Sequence, residues 1–190
     1  MRKKYTAGLL LLFLALPFES LWADRFQDTI EVFRNAGESG AFFGNSYGYA
    51  VFPTVGRAGV GIGGARGSGR VFVGGEHVGD TTMTQLTVGL QLGAQGYSMI
   101  VFLEDKRAFD EFTSGSFEMG ADASAVAITA GAQASAGTGG ATAGASAGPA
   151  TGKQAPTSYH KGMAVFVHAK GGLMYEASVG GQKFSFEPKK

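Results

Sequence analysis

Three groups of residues in this 190-residue chain are of types that could do chemistry. Gly59-Val-Gly61-Ile-Gly63-Gly64 satisfies G-x-G-x-x-G, the pattern in which a strand turns into a helix whose N-terminus holds a dinucleotide pyrophosphate. No helix is predicted after it. The next residues, Ala65 to Val73, are broken by glycine and then β-branched, so the pattern continues as sheet or loop, where glycine usually means close backbone packing. Gly144-Ala-Ser146-Ala-Gly148 matches the nucleophile elbow of hydrolases, but it lies in Ala/Gly/Ser-rich sequence with nothing to build the required strand-to-helix turn. His77, His160 and His168 lack metal-ligand spacing, and with no cysteine the chain has neither a thiol nucleophile nor a disulfide. Glu76 beside His77 reads as a loop pair, and no spacing matches two of the carboxylates as an acid and a base. The expectation is a protein that is not an enzyme and uses no metal or cofactor.

Amphipathic and basic residues then become the candidates, and their compartment decides what they could meet. Arg2, Lys3 and Lys4, an apolar run from Leu9 to Leu16, and Leu21-Trp22-Ala23 read as a secretory signal peptide, residues 1–23. The run is too short for a bilayer span, which needs about 20 residues. Cleavage there would remove Arg2, Lys3, Lys4 and Glu19 and change the formal net charge from +1 to −1. Such a chain has no compositional support for binding nucleic acid. A periplasmic or secreted protein, at most peripheral on a membrane, is expected.

Asp24 to Ala36 predicts an amphipathic helix, with Phe26, Ile30 and Phe33 on one face, Asp24 as its N-cap and Gly37 as its stop. Those three side chains could enter a membrane or cover a sheet. The charge between Asp24 and Glu38, Arg25 and Arg34 against Asp24, Asp28, Glu31 and Glu38, favours the docked arrangement. Further strands are predicted at Tyr49–Phe52 (followed by a Pro53-Thr54 turn), Arg70–Val73, Thr81–Leu92 and Ser98–Leu103. Glycines at 59, 61 and 63 leave one face of a strand bare, so a close neighbour is expected there. Thr82, Thr84, Leu86 and Val88 share one face of the Thr81–Leu92 strand and Thr81, Met83, Gln85 and Thr87 the other, one side dry and one wetter. Asp105 caps a short helix carrying Ala108, Phe109 and Phe112 inward and the basic pair Lys106 and Arg107 outward. Phe117 to Ala134 alternates small residues and could lie against the glycines. Residues 135–158 read as a flexible Ala/Gly/Ser-rich loop, and Met163–Ala169, Leu173–Val179 and Gln182–Phe186 as a meander.

Four ordered blocks, GYAVFPTVGRAGVGIGGARGSG, VGLQLGAQGYSMIVFLED, FEMGADASAVAITAGA and YHKGMAVFVHAKGGLMYEASVGGQKF, resemble the SYLF domain family. The resemblance implies lipid binding, with phosphoinositide and actin work belonging to the eukaryotic branch and secreted members in bacteria. The expected fold is α+β: one domain, 24–190, with a twisted, mainly antiparallel, barrel-like β-sheet, an N-terminal amphipathic helix and a short second helix. The expected function is binding phospholipid or a membrane surface in the bacterial cell envelope. Phe26, Ile30 and Phe33 would insert, and Arg25, Arg34, Lys106 and Arg107 would meet headgroups. No actin is expected in that compartment. The alternatives are an envelope module that binds proteins only, and a small outer-membrane β-barrel.

Overall fold

The computed structural model describes residues 18–60, 62–88, 93–120, 125–128, 159–170 and 181–190. Its strands are β1 (Gly48–Val60), β2 (Ile62–Val73), β3 (Glu76–Val88), β4 (Gly93–Leu103), β5 (Phe117–Glu118), β6 (Val126–Ile128), β7 (Met163–Lys170) and β8 (Gln182–Pro188). They form one curled, half-barrel sheet in the order β5-β8-β3-β2-β1-β4-β7-β6, antiparallel except for the β6–β7 pair. Two helices accompany them, α1 (Phe18–Asn35) and α3 (Lys106–Phe112), with the single turn α2 (Gly37–Gly40) and a 3₁₀ turn, Ala41–Gly44. The expected α+β, mainly antiparallel architecture is the one observed. Among the described residues the sheet runs between two edges, and α1 covers part of its outer face, which a lipid-facing barrel wall would leave bare.

β1 sits between β2 and β4, and its sequence explains how it serves both. Instead of ending in a turn at Pro53-Thr54, it continues through a bulge: the pairing slips between Val51 and Thr54 against β2, and between Phe52 and Val55 against β4. Proline has no N–H to give a ladder, so the unpaired residue of a bulge accommodates it. The bulge also switches the alternation. Before it, Ala50 and Phe52 face the concave core and Tyr49 and Val51 the outer face; after it, Val55 is concave and Thr54, Gly56 and Ala58 lie outside.

The concave core joins Phe52, Val55, Val71, Met83, Met99, Val101, Leu103, Val165, Val167 and Phe184, and α3 closes it with Ala108 and Phe112. Asp105 caps α3 by accepting from the Ala108 N–H at 2.7 Å, as predicted, and the chain leaves after it through Gly115 at φ +98°. The outer core lies under α1, where Phe26, Ile30 and Phe33 pack with Phe42, Tyr49, Val51, Phe72, Ile100, Phe102 and Phe166.

Several boundaries differ from expectation. Asp24 is inside α1 rather than its N-cap, because no glycine or proline interrupts Phe18–Asn35. The helix breaks at Ala36 in extended backbone, and Gly37 opens α2 instead of stopping α1; the Ser39 hydroxyl donates to the Phe33 carbonyl at 2.5 Å. The glycines at 59 and 63 do not share a strand: they face each other across the β1–β2 hairpin. Gly74 and Gly75, at φ +59° and +86°, make the two-residue β2–β3 turn. The stretch from Phe117 splits into β5 and β6 at opposite edges of the sheet, and neither pairs with the glycine segment. β7 pairs with β4 and β6, and β8 with β3 and β5, while the central strand of the predicted meander is not among the described residues. The predicted 135–158 loop and the predicted strand Leu173–Val179 lie outside the described residues, as do residues 1–17 of the predicted leader.

Glycine has two distinct uses in β1 and β2. A Cβ on Gly69 would stand 2.6 Å from the Phe52 ring and 2.7 Å from the Val51 carbonyl oxygen, whereas one on Gly56 would meet nothing within 4 Å. Gly69→Ala is expected to cost about 1–3 kcal/mol and lower the melting temperature by several degrees. Gly56→Ala should leave it unchanged or slightly raised. Thermal melts of the two variants check this; equal effects would contradict it.

Candidate membrane-facing surface

Phe26, Ile30 and Phe33 are 6%, 3% and 0% exposed, held beneath α1 in the outer core. The Arg70 guanidinium lies 4.5 Å above the Phe26 ring and closes that end of the contact. In this conformation the three side chains cover the sheet, the docked arrangement that the helix's charge favours, and a membrane would reach them only if α1 undocked. Arg25 and Arg34 are exposed, Arg34 resting 5.0 Å over Phe43. Lys106 and Arg107 are engaged within their own helix. The Lys106 ammonium is 2.6 Å from Asp110, and Arg107 is 3.3 Å from Glu111 and 3.8 Å from Asp105. The hydrogen bond to Asp110 raises the Lys106 pKa. This pair follows the Leu103 end of β4, the end opposite the glycine hairpin, so the predicted cations do not converge with the glycines.

The histidines are separate. His77 pairs with Asp80 at 3.1 Å rather than with Glu76, and Asp80 also meets Arg70 at 3.7 Å. His168 is half-buried in β7, and burial, helped by nearby Lys170, pushes its pKa down, so it is neutral at pH 7. Among the described residues no three His, Asp or Glu side chains gather as metal ligands.

The sheet assembles something the sequence reading missed. Register pairs Lys183 with Thr84, Thr84 with Arg66, Arg66 with Gly56, Gly56 with Gly96, and Gly96 with Lys170. These six residues form one row across six strands on the outer face. Thr84, Arg66, Gly56, Lys170 and Lys183 are exposed and Gly96 half-exposed. Lys170 donates to the Thr54 hydroxyl at 3.1 Å, and Lys183 meets Glu118 at 3.5 Å. Between the cations the surface is bare backbone, since a Cβ on Gly56 or Gly96 would meet nothing within 4 Å. A shallow depression of about 540 Å³, lined by Gly56, Ala58, Gly64, Arg66 and Gly96 among others, lies there. The row could present three positive charges to a flat array of phosphates. One signal in the sequence was the alternation Ile62, Gly64, Arg66, Ser68; bringing Gly56 onto the same face needs the bulge at Pro53.

A family model described as Las17-binding protein actin regulator, Ysc84, matches residues 84–189, more than half of the chain. The chain belongs to this family, the SYLF family. No relative is found among curated proteins. The SYLF match starts within β3 and runs through β8, so it contains Lys170 and Lys183, while α1, β1 and β2 precede it. The glycine block at the start of the resemblance thus lies outside the matched span. SYLF proteins are associated with lipid binding and with protein interactions.

On the concave side of the same end, Tyr97 is buried against Val55. Burial pushes its pKa up to about 12, against a partial opposing effect of Arg57. The fold therefore favours the neutral phenol: its stabilisation is complete below pH 10 and lost as pH rises from 10 through 12. The loss is about 2–3 kcal/mol. Urea unfolding of wild type and Tyr97→Phe on either side of this window should show the difference between them shifting by that amount. A difference independent of pH would mean that Tyr97 is accessible.

Proposed function

We propose that this SYLF protein is a non-enzymatic lipid- or membrane-surface-binding protein of the bacterial cell envelope, exported through residues 1–23. The observation that carries the reading is the cationic row Lys183, Arg66 and Lys170 on an uncovered face of the sheet. Each Lys or Arg near an anionic membrane contributes about 1 kcal/mol, so three acting together are worth roughly a hundredfold in affinity. Membership of a family associated with lipid binding supports the same reading. The family description names binding to Las17 and regulation of actin. An envelope compartment contains no actin, so that partner is not carried over.

Co-sedimentation of the protein with vesicles of phosphatidylcholine alone, or of equal parts phosphatidylcholine and phosphatidylglycerol, tests the proposal. Binding should require the anionic lipid and weaken as salt rises, because the cations are exposed. The triple variant Arg66→Gln, Lys170→Gln, Lys183→Gln should lose about a hundredfold in affinity. Lys106→Gln with Arg107→Gln should bind as wild type, since that pair lies at the opposite end of the sheet from the row. Absence of binding to either vesicle would favour the other reading, an envelope module that binds protein alone.

A further inference from the structure

Two large aliphatic side chains stand apart from the rest. Among the described residues Ile62 is 67% exposed and Leu86 75%, while the other exposed large hydrophobics, Val32 and Tyr47, reach only 39%. Ile62 and Leu86 lie on one face at one end of the sheet. Ile62 pairs with Val88 and Gly64 with Leu86, so Leu86 is the diagonal neighbour of both Ile62 and Arg66, about 7–8 Å away in each case. Around Leu86 that face carries Gly64, Ser68, Thr82 and Thr84, small or polar, while the strand partners of Ile62 are Val60 and Val88. Folding gains nothing from the pair, which covers neither core.

The charge around them is mostly of one sign, with Glu118 beside Lys183 at the β8 end of the row as the exception. No Asp or Glu occurs from Thr54 to Gly75 or from Thr81 to Leu103, which covers both strands of the glycine hairpin and most of β3 and β4. The cationic row crosses this end of the sheet perpendicular to the strands, so Arg66, Lys170 and Lys183 stand at one height along them. Ile62 lies four residues beyond Arg66 toward the tip, about 13 Å at strand rise, and Leu86 about half that distance. Apolar residues that lie in a membrane interface reach about 5–10 Å below the headgroups. With the strands upright and the row at phosphate level, Leu86 falls within that range and Ile62 about 3 Å beyond its deeper limit, among the acyl chains.

We propose that the glycine hairpin end of the sheet is the edge by which this protein enters an anionic bilayer. Ile62 and Leu86 insert at the acyl boundary, and Arg66, Lys170 and Lys183 rest on the lipid phosphates. The inference rests on the membrane-binding reading above and adds where, and in what orientation, contact is made. α1 stays docked, and the aromatic residues beneath it take no part.

The native chain has no cysteine, so a fluorophore sensitive to polarity can be placed by single substitution in the full chain. Probes at Ile62→Cys and Leu86→Cys should shift to the blue on vesicles of equal parts phosphatidylcholine and phosphatidylglycerol, and be quenched by nitroxides on the acyl chains. A probe at Glu187→Cys, paired toward the far side of the row, should remain aqueous. Ile62→Ser with Leu86→Ser should weaken vesicle binding by about tenfold per residue without lowering the melting temperature. If wild type binds but the probes at 62 and 86 stay aqueous, the insertion edge is overturned and membrane binding stands. If wild type binds no vesicle, both readings fall. Dimerisation in solution abolished by the two serines, without vesicle binding, would assign the patch to a second copy of the chain and overturn the proposal.

Discussion

β1 carries one more residue than its neighbours pair, and Pro53, which has no N–H for the ladder, lies where the surplus is absorbed. Much else follows from that slip. Residues before it alternate between an outer face under α1 and the concave core, and residues beyond it alternate in the opposite phase. Val55 is thereby placed in the concave core and Gly56 and Ala58 outside. An uninterrupted strand would have turned Val55 outward, where the depression between Arg66 and Lys170 now lies.

The two ends of the sheet are consequently stabilised in different ways. At the Leu103 end both faces are dry. Rings from Phe42, Phe43, Tyr49, Phe102 and Phe166 meet at centroid distances between 4.9 and 6.1 Å on the outer side, and Phe112 stacks toward Phe117 and Phe184 on the other. At the glycine end only the concave face is filled, and β2 makes room for Phe52 and Val55 by having no side chain at Gly69 and Gly67. The outer face there is open to solvent, with small residues, three cations and two aliphatic side chains. The same fold thus has a buried half that stabilises it and a half-exposed end available for contact.

Charge separates the predicted surface from the one the fold presents. Lys106 and Arg107 lie four residues before Asp110 and Glu111, so on α3 each finds a carboxylate one turn away. Arg66, Lys170 and Lys183 are more than a hundred residues apart at the extremes of the chain and come into one row only through strand pairing. Helical periodicity therefore drew attention to the cations that are locally satisfied. It could not find those that depend on register.

The local sequence determined what local chemistry can determine. Asp105 and Gly115 bounded α3, Gly74-Gly75 closed a hairpin, SMIVFL became part of a strand dry on both faces, and Phe26, Ile30 and Phe33 marked the inner side of α1. The four blocks also identified the family. Which face of β3 is dry was not legible: Met83, Thr81 and Gln85 are buried while Leu86 faces water, the reverse of what hydrophobicity alone suggests. Pairing partners were not legible either, since β5, β6, β7 and β8 take places at or near opposite edges that no neighbouring residue specifies. Periodicity says that alternate residues share a side, but only the neighbours across a strand decide which side is covered. That decision, made by the bulge at Pro53 and by where α1 docks, separates core from exposed surface in this protein.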